Sequence, residues 1–227
     1  MKYSTYVFDA YGTLFDVHAA VRRHAGEIGP DGQALSDIWR AKQLEYSWVR
    51  TLMGAYQDFW QLTEQALDFA FAKVPSADPK LRQKLLDAYW RLDCYPEVPA
   101  VLKALKSEGA RLAILSNGSP AMLSAVVDAA NLHRVFDAVL SVEEVGVYKP
   151  HPSVYQLAVD RLGVAAEQIA FQSSNAWDAH AASAFGMQVV WCNRYNQTRE
   201  RLPGAPDREV TSLAELPALV GATERNA

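Results

Sequence analysis

The amino-acid sequence predicts an α/β fold, a doubly wound and mostly parallel Rossmann-like sheet with an inserted all-helical cap domain. Three observations carry that expectation. From Tyr95 onward, short apolar runs rich in β-branched residues alternate with helical stretches of about ten residues, the pattern of repeated β–α units. A lone strand-like run, "YVF", stands far ahead of them, separated by a helix-rich stretch from Val17 to about Asp93. Polar clusters recur where the strand-like runs end, which is where open parallel sheets bind ligands.

Taken in order, the first strand, Tyr6–Phe8, stops at Asp9 and turns through Gly12. In "LSDIWRAKQLEYSWVRTLM", Leu35, Ile38, Trp39, Tyr46, Val49, Leu52 and Met53 fall mainly at helical spacings, so they predict one apolar face, with Ser36 or Asp37 as the N-cap. A second helix is expected near Phe59–Val74, ending before Pro75, and a third from about Pro79 to Leu92. These helices fill residues 16–95, the expected cap domain; residues 1–15 and 96–227 form the expected core. In the core, helices at Val98–Gly109, Ala121–Ala130, Ser153–Leu162 and Asp178–Phe185 precede the strands in "RLAILSNG", "FDAVLSV", "QIAFQSS" and "QVVWCN" respectively. Thr223–Ala227 reads as a frayed end.

Bulk composition narrows the function. With 227 residues, half of them hydrophobic, the chain can bury one sizeable core and a smaller appended one. A formal net charge of -4 makes no electrostatic case for nucleic acid or an anionic membrane. The opening "MKYSTYVFDAYG" lacks the apolar stretch of a secretory signal, and no run approaches the roughly 20 apolar residues of a membrane span. Cys94 and Cys192 form no CxxC pair, and two ordinary thiols suit a reducing cytoplasm, the expected location. His18, His24, His133, His151 and His180 show no ligand spacing, so no metal is assigned. No nucleotide-binding glycine pattern occurs, and no cofactor is expected.

The strand ends supply the candidate chemistry, and each residue has a plainer reading beside it. Asp9 is a nucleophile or a turn cap, and Thr13 orients a carboxylate or caps locally. Ser116 and Asn117 form a ligand edge or an N-cap. Lys149, between Tyr148 and Pro150, is fixed toward a site or is a surface lysine. Asp178 serves chemistry or complements a helix dipole. Arg40 in the insert is a binding group or a solvated charge, and Tyr155 is a core aromatic by default.

The ordered set "FDAYGTLFD", "LAILSNGSP", "VYKPHPSVY" and "FQSSNAWDA" resembles the four motifs of the haloacid dehalogenase superfamily. Through "WRAKQLEYSW" and "SSNAWD" it is closer still to the (S)-2-haloacid dehalogenases. A phosphatase of that superfamily would carry a second Asp two residues after the nucleophile and a metal-binding Asp before the last motif. Here those positions are Tyr11 and Ser174. Tyrosine cannot replace an acid poised near neutral pH, and Mg2+ prefers carboxylate oxygens.

The resemblance implies a metal-free conversion of (S)-2-haloacids to (R)-2-hydroxyacids through an ester on Asp9. Arg40, Asn117 and Trp177 would hold the halide; Ser116 and the backbone N–H groups of Ala10 and Tyr11 would hold the substrate carboxylate. Asp178 would activate water, with Thr13, Lys149, Ser173 and Asn175 around it and Tyr155 supporting Lys149 and Asp9. Trp39 and Trp60 would keep the pocket dry. The resemblance also implies a homodimer formed through the cap helices. A Mg2+-dependent phosphatase and a non-catalytic binding module on the same fold are the alternative readings.

Overall fold

The computed structural model describes residues 3–221. Six strands form one sheet: β1 (Thr5–Phe8), β2 (Arg111–Ser116), β3 (Ala138–Ser141), β4 (Ile169–Ser173), β5 (Gln188–Cys192) and β6 (Arg208–Val210). Their spatial order is β3-β2-β1-β4-β5-β6, and every pairing is parallel. The chain steps outward from β1 to β3, then returns to begin again at β4. The crevice between the carboxyl ends of β1 and β4 is therefore the switch point of a doubly wound sheet.

β1 is buried throughout because it is hydrogen-bonded on both sides, Thr5 opposite Arg111 in β2 and Ile169 in β4. Right-handed crossovers put α6 (Val98–Ser107) and α7 (Pro120–Ala129) on one face, and α8 (Pro152–Leu162) and α9 (Ala176–Phe185) on the other. Consistently, α8 packs on α9, and α10 (Leu216–Gly221) packs on α6.

Between β1 and α6 lie α1 (Ala19–Arg23), α2 (Ala25–Ile28), α3 (Gly32–Met53), α4 (Phe59–Lys73) and α5 (Arg82–Tyr89). The α3–α4 pair forms the centre of this insert, and α1 and α5 pack together beside it. The two connecting segments meet at the base: the Asp16 N–H donates to Asp93 O at 2.9 Å and the Tyr95 N–H to Leu14 O at 3.0 Å.

Several details differ from the sequence expectations. Helix α3 starts at Gly32 after Asp31, so neither Ser36 nor Asp37 caps it; Ser36 is buried inside the helix, its hydroxyl 2.7 Å from His18 Nδ1. Its buried stripe is Leu35, Trp39, Gln43 and Ser47, four residues apart. Val49, Leu52 and Met53 are exposed instead, Leu52 by 88%. The third expected helix is a 3-10 turn at Pro79–Leu81 followed by α5, which ends at Tyr89 rather than Leu92. α9 begins at Ala176, two residues before Asp178, with Asn175 as its N-cap. The short α1, α2 and β6 had no sequence counterpart. Both cysteines are free, Cys192 fully buried. Thr223–Ala227 lies outside the described residues.

Candidate active site

Asp9 follows β1 at the switch point, its N–H still bonded to Gln172 O of β4 at 2.9 Å. The chain then turns tightly. Ala10 O accepts from the N–H groups of Thr13, Leu14 and Phe15, and Gly12 adopts φ +92°, a conformation that favours glycine. This turn brings the Thr13 hydroxyl back to Asp9 Oδ2 at 3.0 Å, while the same hydroxyl accepts from the Ser174 N–H at 2.8 Å. Thr13 thus ties the β1 turn to the β4 turn.

Asp9 receives donors on both oxygens. Lys149 Nζ lies 3.1 Å from Oδ1, and Asn175 Nδ2 lies 2.8 Å from Oδ2. Ser173 Oγ accepts from the Asn175 N–H at 3.1 Å and so fixes the turn that presents the amide. With three donors and 5% exposure, the Asp9 side chain is held in one direction.

Lys149 bridges two acids. Its ammonium also donates to Asp178 Oδ2 at 2.8 Å, and the Tyr155 hydroxyl donates to Asp178 Oδ1 at the same distance. Lys149 is 1% exposed and Asp178 fully buried. Burial alone would lower the Lys149 pKa; the carboxylates of Asp178 and Asp9 outweigh it and hold the ammonium above its ordinary value. For Asp178 burial dominates and raises the pKa, with Lys149 opposing. The Tyr155 hydroxyl is raised well above its ordinary value by burial and by Asp178, so it stays protonated and donates. Asp178 is therefore a buried, hydrogen-bonded carboxyl rather than an exposed helix cap.

Arg40 reaches the same place from the insert. Its Nη2 donates to Tyr11 O and to Asn175 Oδ1, each at 3.3 Å. Asn117 Oδ1 accepts from the Lys149 N–H at 3.0 Å, which leaves its amide NH2 directed elsewhere. Ser116 is buried at the end of β2, its hydroxyl accepting from the Gly118 N–H at 3.1 Å. The Tyr11 ring is buried under the insert, stacked on Tyr89 with centroids 5.7 Å apart.

The tryptophans are placed differently from one another. Trp177, on the first turn of α9, meets Trp48 of α3 edge-on at 5.4 Å. Both line an apolar cavity of about 690 Å3 that also touches Leu52, Tyr148, Lys149 and Tyr155. Asp9, Arg40 and Asn117 lie outside its lining. Trp39 is buried behind Arg40, its indole donating to Thr63 O at 2.8 Å. Trp60 does not face the site: its ring packs on Trp90 at 4.5 Å, and its neighbour Phe59 takes the inward position against Tyr11 at 6.0 Å. Adjacent helical residues point about 100° apart, so only one of the two can face the seam.

Sequence reasoning missed three polar residues behind Arg40: Gln43, Thr63 and Tyr89. The one available signal was the i,i+3 spacing of Arg40 and Gln43 on α3. A divalent cation finds a poor donor set here. The two gathered carboxylates are both spent on an ammonium, and among the described residues no group of three or more His, Cys, Asp or Glu could hold a metal ion.

A doubly wound sheet with a helical insert after its first strand, and a buried aspartate where that strand ends, define a hydrolase of the haloacid dehalogenase type. Residues 3–186 match the haloacid dehalogenase-like hydrolases, and the chain belongs to that family. It is 50% identical over 217 residues to (S)-2-haloacid dehalogenase 1 of Pseudomonas sp. (strain CBS-3), covering 94% of this chain and 95% of that one. It is 49% identical over 211 residues to (S)-2-haloacid dehalogenase 4A of Burkholderia cepacia, covering 92% and 91%. The structure of L-2-haloacid dehalogenase from Xanthobacter autotrophicus with chloropropionic acid covalently bound matches with a TM-score of 0.89 at 36% identity, over 99% of this chain and all of that one.

Proposed function

We propose that this hydrolase converts (S)-2-haloacids and water to (R)-2-hydroxyacids, halide and a proton, without a metal. One observation carries the reading: a donor-held Asp9 faces a seam crossed by Arg40, with Tyr11 where a phosphatase needs an acid. Asp9 attacks C2 and forms an ester as the carbon–halogen bond breaks, with inversion. The departing halide takes the bonding electrons and is received by Arg40, by the Asn117 amide and beside Trp177. It needs no general acid. Ser116 and the backbone N–H groups of Ala10 and Tyr11 hold the substrate carboxylate. Asp178 then takes a proton from water, and the hydroxide adds to the Asp9 ester carbonyl. The adduct collapses, its hydroxyl proton passing to the departing alkoxide, so the hydroxyacid leaves with its inverted carbon untouched and the Asp9 carboxylate is restored, while Asp178 gives its proton to solvent. Lys149, Tyr155, Thr13, Ser173 and Asn175 keep the two aspartates in register.

In this reading residues 16–95 work as a cap domain over a core of residues 1–15 and 96–227, in a cytoplasmic enzyme. Two copies pair through the cap: Leu52 and Met53 protrude from α3 beside the apolar cavity, so one copy's knob can enter its partner's hollow in a two-fold arrangement. The test measures halide release from (S)-2-chloropropionate with EDTA, beside phosphate release from p-nitrophenyl phosphate with Mg2+. Halide with inversion supports the proposal. Phosphate alone would establish the phosphatase reading, and neither product would mark a binding module.

A further inference from the structure

The insert carries a buried polar cluster that the reaction scheme leaves unused. Gln43 is 1% exposed, in a helical layer where its buried polar neighbours Thr63 and Tyr89 meet it, and its amide is fully engaged. From this cluster we infer that Gln43 is a positioning residue, which fixes the direction in which Arg40 presents its guanidinium to an anion at the seam. The inference deepens the dehalogenase reading and rests on it for the identity of that anion.

The direction of the amide follows from Thr63. The Thr63 hydroxyl donates its one proton to Phe59 O at 2.7 Å, so toward Gln43 it can only accept. Gln43 must therefore offer Nε2, and does so at 2.7 Å. That choice turns Oε1 toward Arg40 Nη1, 2.8 Å away. The reverse orientation would set an amide NH2 against a guanidinium and a hydroxyl oxygen against a carbonyl, leaving both unsatisfied in a buried place. Tyr89, its hydroxyl 3.1 Å from Nε2, closes the cluster and stacks on Tyr11.

Arg40 is thus gripped tightly on the insert side and loosely on the core side, where both Nη2 contacts measure 3.3 Å. The loose contacts can be exchanged for an anion; the tight one sets where that anion sits. In an in-line displacement the leaving group departs opposite the attacking oxygen, and a misplacement of about 1 Å costs on the order of 10²-fold in rate.

The experiment compares Gln43→Leu and Thr63→Val with wild type. Single-turnover halide release and subsequent ester hydrolysis are measured separately, together with the affinity of the resting enzyme for bromide. Gln43→Leu is expected to slow halide release by about 10²-fold, to weaken bromide binding, and to leave ester hydrolysis unchanged. Thr63→Val keeps the side-chain shape and should produce a smaller loss in the same step. Equal slowing of both steps would mean a merely structural role, and wild-type halide release with wild-type bromide affinity in either folded variant would overturn the inference. If Gln43→Leu does not fold, Thr63→Val decides. Should wild type release no halide, the dehalogenase reading fails, while bromide affinity still judges Gln43.

Discussion

Asp9 and Asp178 share one ammonium but have different second partners, and the proposed division of their tasks follows that difference. Asp9 also receives a hydroxyl and an amide at the open seam; Asp178 is closed in with Tyr155. In Asp178→Asn, halide departure should survive and ester hydrolysis fail, because removing a general base costs on the order of 10²–10⁴ in rate. Mass spectrometry after reaction with 2-chloropropionate should then find an adduct on the peptide containing Asp9, and Asp9→Asn should form none. The pH dependence follows from the raised Asp178 pKa. A carboxyl so shifted stays protonated to higher pH, so ester hydrolysis should be lost as pH falls through a value above the ordinary aspartate 3.8. Stopped-flow hydrolysis rates against pH check this. Lys149 has its own signature in stability. Its folded pKa lies above 10.5, so its ion pairs contribute fully below that value and are lost as pH rises through the raised one. Lys149→Met would leave two buried carboxylates unpaired and should destabilise by about 3–5 kcal/mol in urea titrations at neutral pH.

Between strands and helices, the turns leave little room for change. A Cβ on Gly118, just after β2, would lie 2.6 Å from Tyr11 Cε2 and 3.2 Å from Leu123 Cδ2. Gly118→Ala therefore overpacks the floor under Tyr11 and should cost about 1–3 kcal/mol, with a lowered turnover, measured by denaturant midpoint and halide release. Most elements were legible in the sequence because their pattern is local. β1, β2 and β4 are short apolar runs ending at Asp9, Ser116 and Ser173, and the strand-end rule gathered the polar residues around Asp9. Helix α3 was only half legible. Gln43 and Ser47 occupy its buried stripe, and polar residues at helical spacing read as a solvated face until Thr63 and Tyr89 come to meet them. Phe59 and Trp60 show the same limit. Both are aromatic at the start of α4, and which one faces Tyr11 depends on where Trp90 lies, a contact between distant parts of the chain. β6, three residues long, is held by pairing with β5 rather than by any pattern of its own.

For the whole molecule, the exposed end of α3 bears on assembly. Leu52→Glu would place a charge on the protruding knob beside the cavity, and multi-angle light scattering should show a dimer in wild type and a monomer in the variant. The position of β1 has a different consequence, one that concerns how the protein is made. Its partners are Arg111–Ile114 and Ile169–Gln172, so β1 leaves the ribosome ahead of both and lacks its second neighbour until β4 has followed. Helices α1 to α5 pack largely on one another and can assemble while β1 waits. A nascent chain that stops before Ile169 has no β4 and none of Ser173, Asn175 and Asp178. Asp9 is thus translated ahead of every residue that surrounds it in the site, and its last partners are the last to arrive.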